Sequence, residues 1–242
     1  MFTLGNPFND ASVSYFHKSV GGYHAAKLMR YQELIENAIY REMSAIQSSF
    51  GSRDIDVIEN SMINTPVLNM LNTKYFITQN GRAQLNPGAL GNAWFVNNIE
   101  VVNNADQEIA ALTNFNPSEK LIVDQRFSKN LIDLNNSFSG TINLDSYKPN
   151  YLKYTSNSNN DGLAVFSEIY YSDGWNAYID GEKSEYFRAN YVLRAMKIPA
   201  GNHIIEFKFE PSAYLNGEKI SLASSVSLLL LLFLAFYKEF KS

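Results

Sequence analysis

The chain has 242 residues, a net charge of −4, 45% hydrophobic residues and no cysteine. That apolar content excludes wholesale disorder, and the acidic balance argues against nucleic acid as a partner. The lack of cysteine excludes disulfides, thiolate nucleophiles and zinc–cysteine sites.

The opening stretch, "MFTLGNPFNDAS", has no basic region followed by an apolar core, so it is not a secretory signal. If the body is exported, the signal is expected upstream of Met1, which makes the chain a fragment of a longer protein or the product of a truncated gene. From Gly22 to Phe50, Leu28, Tyr31, Ile35, Ile39, Met43 and Ile46 recur at three- and four-residue spacing, which predicts a long helix stopping at Gly51. A short helix over 54–62 and another entered through Thr65 as N-cap and Pro66 at the first position follow. Strands are predicted over 74–78, 93–96, 99–102 and 121–123, with a turn at 79–81 and an Asn104-capped helix after the third strand. Residues 1–125 therefore read as a mixed α+β domain.

Beyond it the pattern becomes short strands with regular turns, at 141–146, 151–155, 163–171, 175–180, 191–198 and 203–210. In the last, Ile205, Phe207 and Phe209 alternate with Glu206, Lys208 and Glu210, the signature of a half-buried strand. "SDGW", "IDGE" and "IPAGNH" supply the turns. Residues 126–215 are thus expected to form an antiparallel β-sandwich of jelly-roll or immunoglobulin-like type. From Ile220 to Tyr237 no residue is charged, and Leu228 to Leu232 is unbroken leucine. At helical rise this stretch covers about 27 Å, which predicts a transmembrane helix over 219–238 and a cytoplasmic tail over 239–242. Lys208 and Lys219 precede it, Lys238 and Lys241 follow it, and that tie leaves orientation open.

Several segments in order, "NPFNDASVSYFHKSVGGYHAAKLMRYQELIE", "VLNMLNTKYFI", "NPGALGNAWFV" and "FSEIYYSDGWNAYIDG…RANYVLRAMKIPAGNHIIEFKFEPSAY", resemble the extracytoplasmic region of YfhO-type bacterial membrane proteins, especially the Bacteroidetes kind. The resemblance runs from Asn6 into the last helix. It implies the C-terminal external portion of a long, multi-spanning protein similar to GT-C glycosyltransferases, enzymes that take sugars from polyprenyl-phosphate carriers. On that reading the sandwich lies outside the bacterial inner membrane and Lys238 and Lys241 inside. The partners implied are membrane lipid, the upstream transmembrane part of the same protein, a polyprenyl-phosphate-linked sugar and a cell-envelope polymer. The catalytic acid of such enzymes lies in an early external loop that this sequence does not contain. No catalytic residue is therefore assigned, and this portion is expected to bind or position rather than react. The alternatives are a membrane-anchored assembly module without catalysis and a tail-anchored cytoplasmic protein.

For contacts with phosphate or sugar the sequence offers His17, Lys18, Tyr23 and His24, gathered around Gly21-Gly22 before the long helix, where a helix N-terminus would favour an anion. The bland reading makes Gly-Gly a simple turn. His17 and His24 lack a third ligand at any familiar spacing, so no metal or other cofactor is expected. Trp175 is a candidate for stacking on a sugar face, or equally a core residue. Glu168, Asp173 and Asp180 raise a glycosidase reading, although Asp-Gly turns account for the last two.

Overall fold

The structure, a computed structural model, describes residues 1–5, 7–52, 54–78, 80–131 and 138–241. Of the turn predicted at 79–81, Gln79 lies outside the described residues. Two antiparallel sheets face each other. One has the order β11 (Glu182–Ser184), β10 (Trp175–Ile179), β14 (Gly201–Phe209), β8 (Tyr151–Ser158), β7 (Gly140–Lys148). The other has the order β12 (Phe187–Ala189), β13 (Leu193–Ile198), β9 (Gly162–Ile169), β4 (Ala93–Val96). β4 comes from the first expected domain and pairs with β9 of the second, Trp94 opposite Val165.

Strand alternation gives the second sheet two buried faces. Ala164, Phe166, Met196 and Ile198 meet Leu152, Tyr154, Ala177, Ile205 and Phe207 of the first sheet, and the rings of Phe166 and Phe207 lie 5.0 and 6.3 Å from that of Tyr154. Leu163, Val165, Leu193 and Ala195 point the other way, into a larger core with Leu34, Ile35, Ile39, Val67 and Leu121. That core also takes β1 (Phe2–Thr3), which pairs in parallel with β2 (Tyr75–Ile77), itself antiparallel to β3 (Ala83–Leu85). A parallel pair, β5 (Asn98–Val102) and β6 (Lys120–Asp124), completes it. The α+β part, the sandwich and the apolar terminal helix all stand as the sequence predicts.

Local details differ. After α1 (Ser12–Phe16) the long helix begins at Met29, not Gly22, as α2 (Met29–Leu34), a π turn over Ile35–Ile39 and α3 (Tyr40–Ser49). The glycine pair explains the delay. A Cβ on Gly21 would sit 2.3 Å from the Pro7 carbonyl oxygen, and Gly22 holds φ +133° while its N–H bonds the same carbonyl at 2.6 Å. Both residues are committed to that close approach in an extended chain. α4 (Ile55–Ile63) is capped by Asp54, which accepts from the Asp56 N–H. α5 (Pro66–Met70) starts at Pro66, but Thr65 donates its hydroxyl to Met62 instead of capping. The cap is Glu42 of α3, whose buried carboxylate accepts from Val67 and Leu68 N–H at 2.9 Å each. Asn104 caps α6 (Ala105–Ala111) as expected, accepting from Gln107.

β14 runs from Gly201 to Phe209 and leads through Pro211 into α7 (Ser212–Lys241). This helix is about 45 Å long, and its most apolar window has mean hydropathy 2.2 with none of it buried against the rest of the chain. It is long and apolar enough to cross a membrane.

Candidate functional site

The strand registers divide the sandwich into two ends. Gly201, Ser158 and Gly140 lie in register, and Gly140 and Gly162 both pack on Phe138 and Phe95, so these mark the end far from α7. β9 then runs about 26 Å, placing Glu168 and Ile169 at the end where Phe209 pairs with Trp175 and the chain enters α7. Tyr147, paired with Leu152, lies at this same end.

A cavity of about 300 Å³ opens there, lined among others by Lys18, Asn72, Asn92, Tyr147, Ser167 and Glu168. Glu168 shares a strand face with Phe166, so it looks between the sheets, whereas Ser167 looks away and donates to the Met70 carbonyl. Lys18 is placed through its backbone. Its carbonyl accepts from the Met1 nitrogen at 2.7 Å, Val20 N–H bonds Met1, and the Tyr31 hydroxyl donates to Val20. The ammonium then rests 3.0 Å from the centre of the Tyr147 ring, a cation–π contact.

Behind Glu168 lies Arg194, 3% exposed, its Nε donating to the Ile169 carbonyl at 3.2 Å. Its guanidinium lies 4.3 Å from the Trp175 ring and 5.1 Å from that of Phe207. Burial raises the Glu168 carboxyl above its ordinary range, while Arg194 and Lys18 pull it back. Burial likewise lowers Arg194 and raises the fully buried Tyr154 phenol. Three polar atoms around this cluster are buried without a protein partner: Arg194 Nη1, Tyr154 Oη and Asn72 Oδ1. Unpaired buried donors and acceptors are costly, and such groups beside a cavity are where a hydroxyl-rich ligand or water completes the set.

Lys18 and Trp175 thus stand on two sides of one polar cluster, joined by Glu168 and Arg194. The other candidates do not enter it. His17 is the exposed residue closing α1, Tyr23 is 62% exposed, and His24 is exposed and accepts the Ala26 N–H at its Nδ1. Trp175 also walls a separate cleft with Lys129, Lys183 and Glu185. Asp180, at φ +51° before Gly181, forms the β10–β11 turn and holds the His203 ring at 2.6 Å. Its residue type is explained by that turn. Among the described residues lining the Lys18 cavity, Glu168 is the sole carboxylate, whereas glycoside hydrolysis uses two. No group of three His, Asp or Glu placed to hold a metal occurs among the described residues. In sequence Arg188 and Arg194 of "RANYVLRAMKIPAG" read as structural residues paired near aromatics, and the place of Arg194 in this cluster emerges only when β13 pairs with β9. The signal was the oddly placed pair, Glu168 and Arg194, on the inward register of Phe166 and Met196.

No curated protein and no solved structure matches the chain. Residues 122–221, from within β6 through every strand of the sandwich but β4 and into the start of α7, match the family model described as bacterial membrane protein YfhO. That span holds Glu168, Trp175, Arg194 and the root of the apolar helix, and over it the chain is similar to the YfhO family of bacterial membrane proteins.

Proposed function

We propose that this chain is the extracytoplasmic portion of a multi-spanning, GT-C-like membrane protein, and that it binds or positions the saccharide head of a polyprenyl-phosphate carrier for transfer to a cell-envelope polymer. The observation that carries this reading is the place of the polar cavity. It lies at the end of the sandwich from which α7 issues, where a lipid-linked substrate presents its head. A carboxylate accepting from sugar hydroxyls, amides from Asn72 and Asn92, and a lysine for a phosphate oxygen form a suitable donor and acceptor set. Glu168, the one carboxylate among the described residues lining the cavity, suits recognition of sugar hydroxyls. His17, Tyr23 and His24 retain a place in this proposal only as exposed groups on the segment leading to the site.

Calorimetric titration of the detergent-solubilised chain with a short-chain polyprenyl-phosphate hexose tests it. Saturable binding is expected, weakened roughly tenfold or more by Glu168→Gln, because a charged hydrogen bond contributes about 1.5–3 kcal/mol. Lys18→Ala is expected to weaken the phosphorylated ligand and not the free sugar. No saturable binding, or unchanged affinity in both variants, contradicts the assignment.

A further inference from the structure

A second cavity, about 290 Å³, lies at the same end of the sandwich, between the start of α2 and the chain following β9. Its rim is apolar and open: Leu28, Met29 and Tyr171 are 41%, 72% and 41% exposed. Its wall carries two arginines. Arg30 Nη1 sits 3.1 Å from Glu108 Oε2 and 3.4 Å from the Tyr191 carbonyl. Arg188 makes no ion pair among the described residues. Its Nε and Nη2 are buried without a hydrogen-bond partner, between the rings of Phe127 at 5.4 Å and Tyr170 at 6.0 Å.

Each carboxylate facing these arginines is already engaged. Glu108 takes Arg30 and the Tyr191 N–H, Glu33 accepts from the Tyr191 hydroxyl, and Asp124 pairs with Arg126 at 2.8 Å. Arg188 lies near Glu108 and Asp124, both already held by other donors, and keeps its Nε and Nη2 without a hydrogen-bond partner. The wall is also rigidly built, since Tyr191 is held at φ +69° by those same contacts.

The position of the cavity names the ligand for those free donors. Ser172 is in its wall, and two residues on, Gly174 packs against Pro211, immediately before α7. The Gly174 carbonyl accepts the Glu210 N–H at 2.5 Å. From Ser212 to the start of the uncharged stretch at Ile220 is about 12 Å of helix, and the headgroup layer takes up roughly 6 Å of that. A bilayer crossed by α7 would thus have its headgroup layer about 6 Å of helix beyond Ser212, at the end of the sandwich where Tyr171 and Ser172 lead into Gly174.

We infer that this cavity docks on the bilayer and takes the phosphate of a phospholipid headgroup. Arg188 and Arg30 face the phosphate, and Leu28, Met29 and Tyr171 enter the interface. Guanidinium forks suit phosphate oxygens, and tyrosine and methionine suit the headgroup boundary. The inference stands apart from the saccharide reading, because it uses other residues and another ligand.

The absence of cysteine makes the test clean. The full chain is placed in nanodiscs with a spin label on Met29→Cys or, at the far end, on the exposed Ala200→Cys. The label at 29 should collide with lipid-dissolved oxygen in preference to a water-soluble nickel chelate, and the label at 200 should do the reverse. Replacing phosphatidylcholine by phosphatidylglycerol should strengthen the contact at 29. Arg188→Gln should weaken that preference about fivefold, the factor for one basic residue at an anionic surface. Equal chelate access at 29 and 200 in both lipids overturns the docking. Full contact retained in Arg188→Gln overturns the role of the arginine. Release of the label by inorganic phosphate at constant ionic strength would assign the cavity to a soluble anion, against the inference.

Discussion

Asp180 and His203 tie the β10–β11 turn to β14, with Asp180 also accepting the Ile204 N–H. The Asp180 hydrogen bond raises His203 above its ordinary value, and the Asp180 carboxyl is lowered by the Ile204 and His203 bonds. A raised histidine holds its proton more tightly in the folded state. Its contribution to stability is complete below pH 6.5 and is lost as pH rises through the folded value. Asp180 is 49% exposed on its side chain, so the pair contributes at most about 1 kcal/mol. Asp180→Asn, which keeps a residue tolerant of positive φ, should return His203 towards 6.5 and cost about 0.5–1 kcal/mol at pH 6 but little at pH 8. Histidine NMR titration and thermal melts at the two pH values check this. Glu108 is the opposite case. It is fully buried and answers both Arg30 and the Tyr191 backbone. Glu108→Gln should destabilise by about 3 kcal/mol, read from loss of near-ultraviolet circular dichroism on urea titration, because the half-buried Arg30 and Arg188 then lack the buried carboxylate they share.

At the scale of elements, the best-predicted parts are those whose signal is local. β14 alternates in sequence and alternates in the structure, with Ile205 and Phe207 fully buried and Glu206 paired outward to Lys208 at 3.1 Å. Asp54 and Asn104 cap their helices because an N-cap needs only its own following residues. The start of the long helix and the cap of α5 were not legible. Each is set by a residue distant in sequence, Pro7 against Gly21 and Glu42 against Val67 and Leu68. Two tests follow from those long-range contacts. Gly21→Ala drives a Cβ into backbone and should cost roughly 2 kcal/mol or more, against about 1 kcal/mol for Ala at Gly181, where φ is positive but space is open. Burial raises Glu42 to about 7 despite its two N–H donors. The folded state therefore holds this proton more tightly than the unfolded chain does. That contribution to stability is present below about pH 4.5 and lost as pH rises through about 7, which carboxyl-carbon NMR of Glu42 should show directly.

At the scale of the molecule, the Lys18 cavity, the Arg188 cavity and the root of α7 lie at one end of the sandwich. The site was half legible for a related reason. Lys18 and Trp175 stood out as types, but the residues that join them, Glu168 and Arg194, acquire meaning only when β9 and β13 pair with Phe166 opposite Arg194. On the proposed function, the polar cluster at the end of the sandwich that leads into α7 meets a saccharide carried by lipid. That proposal requires the folded body to stand on the outer face of the membrane. The direct measurement is topology: Ala200→Cys, on the exposed turn farthest from α7, treated with a membrane-impermeant maleimide in intact spheroplasts. The account predicts labelling before lysis. Labelling only after lysis would put the sandwich in the cytoplasm and contradict it.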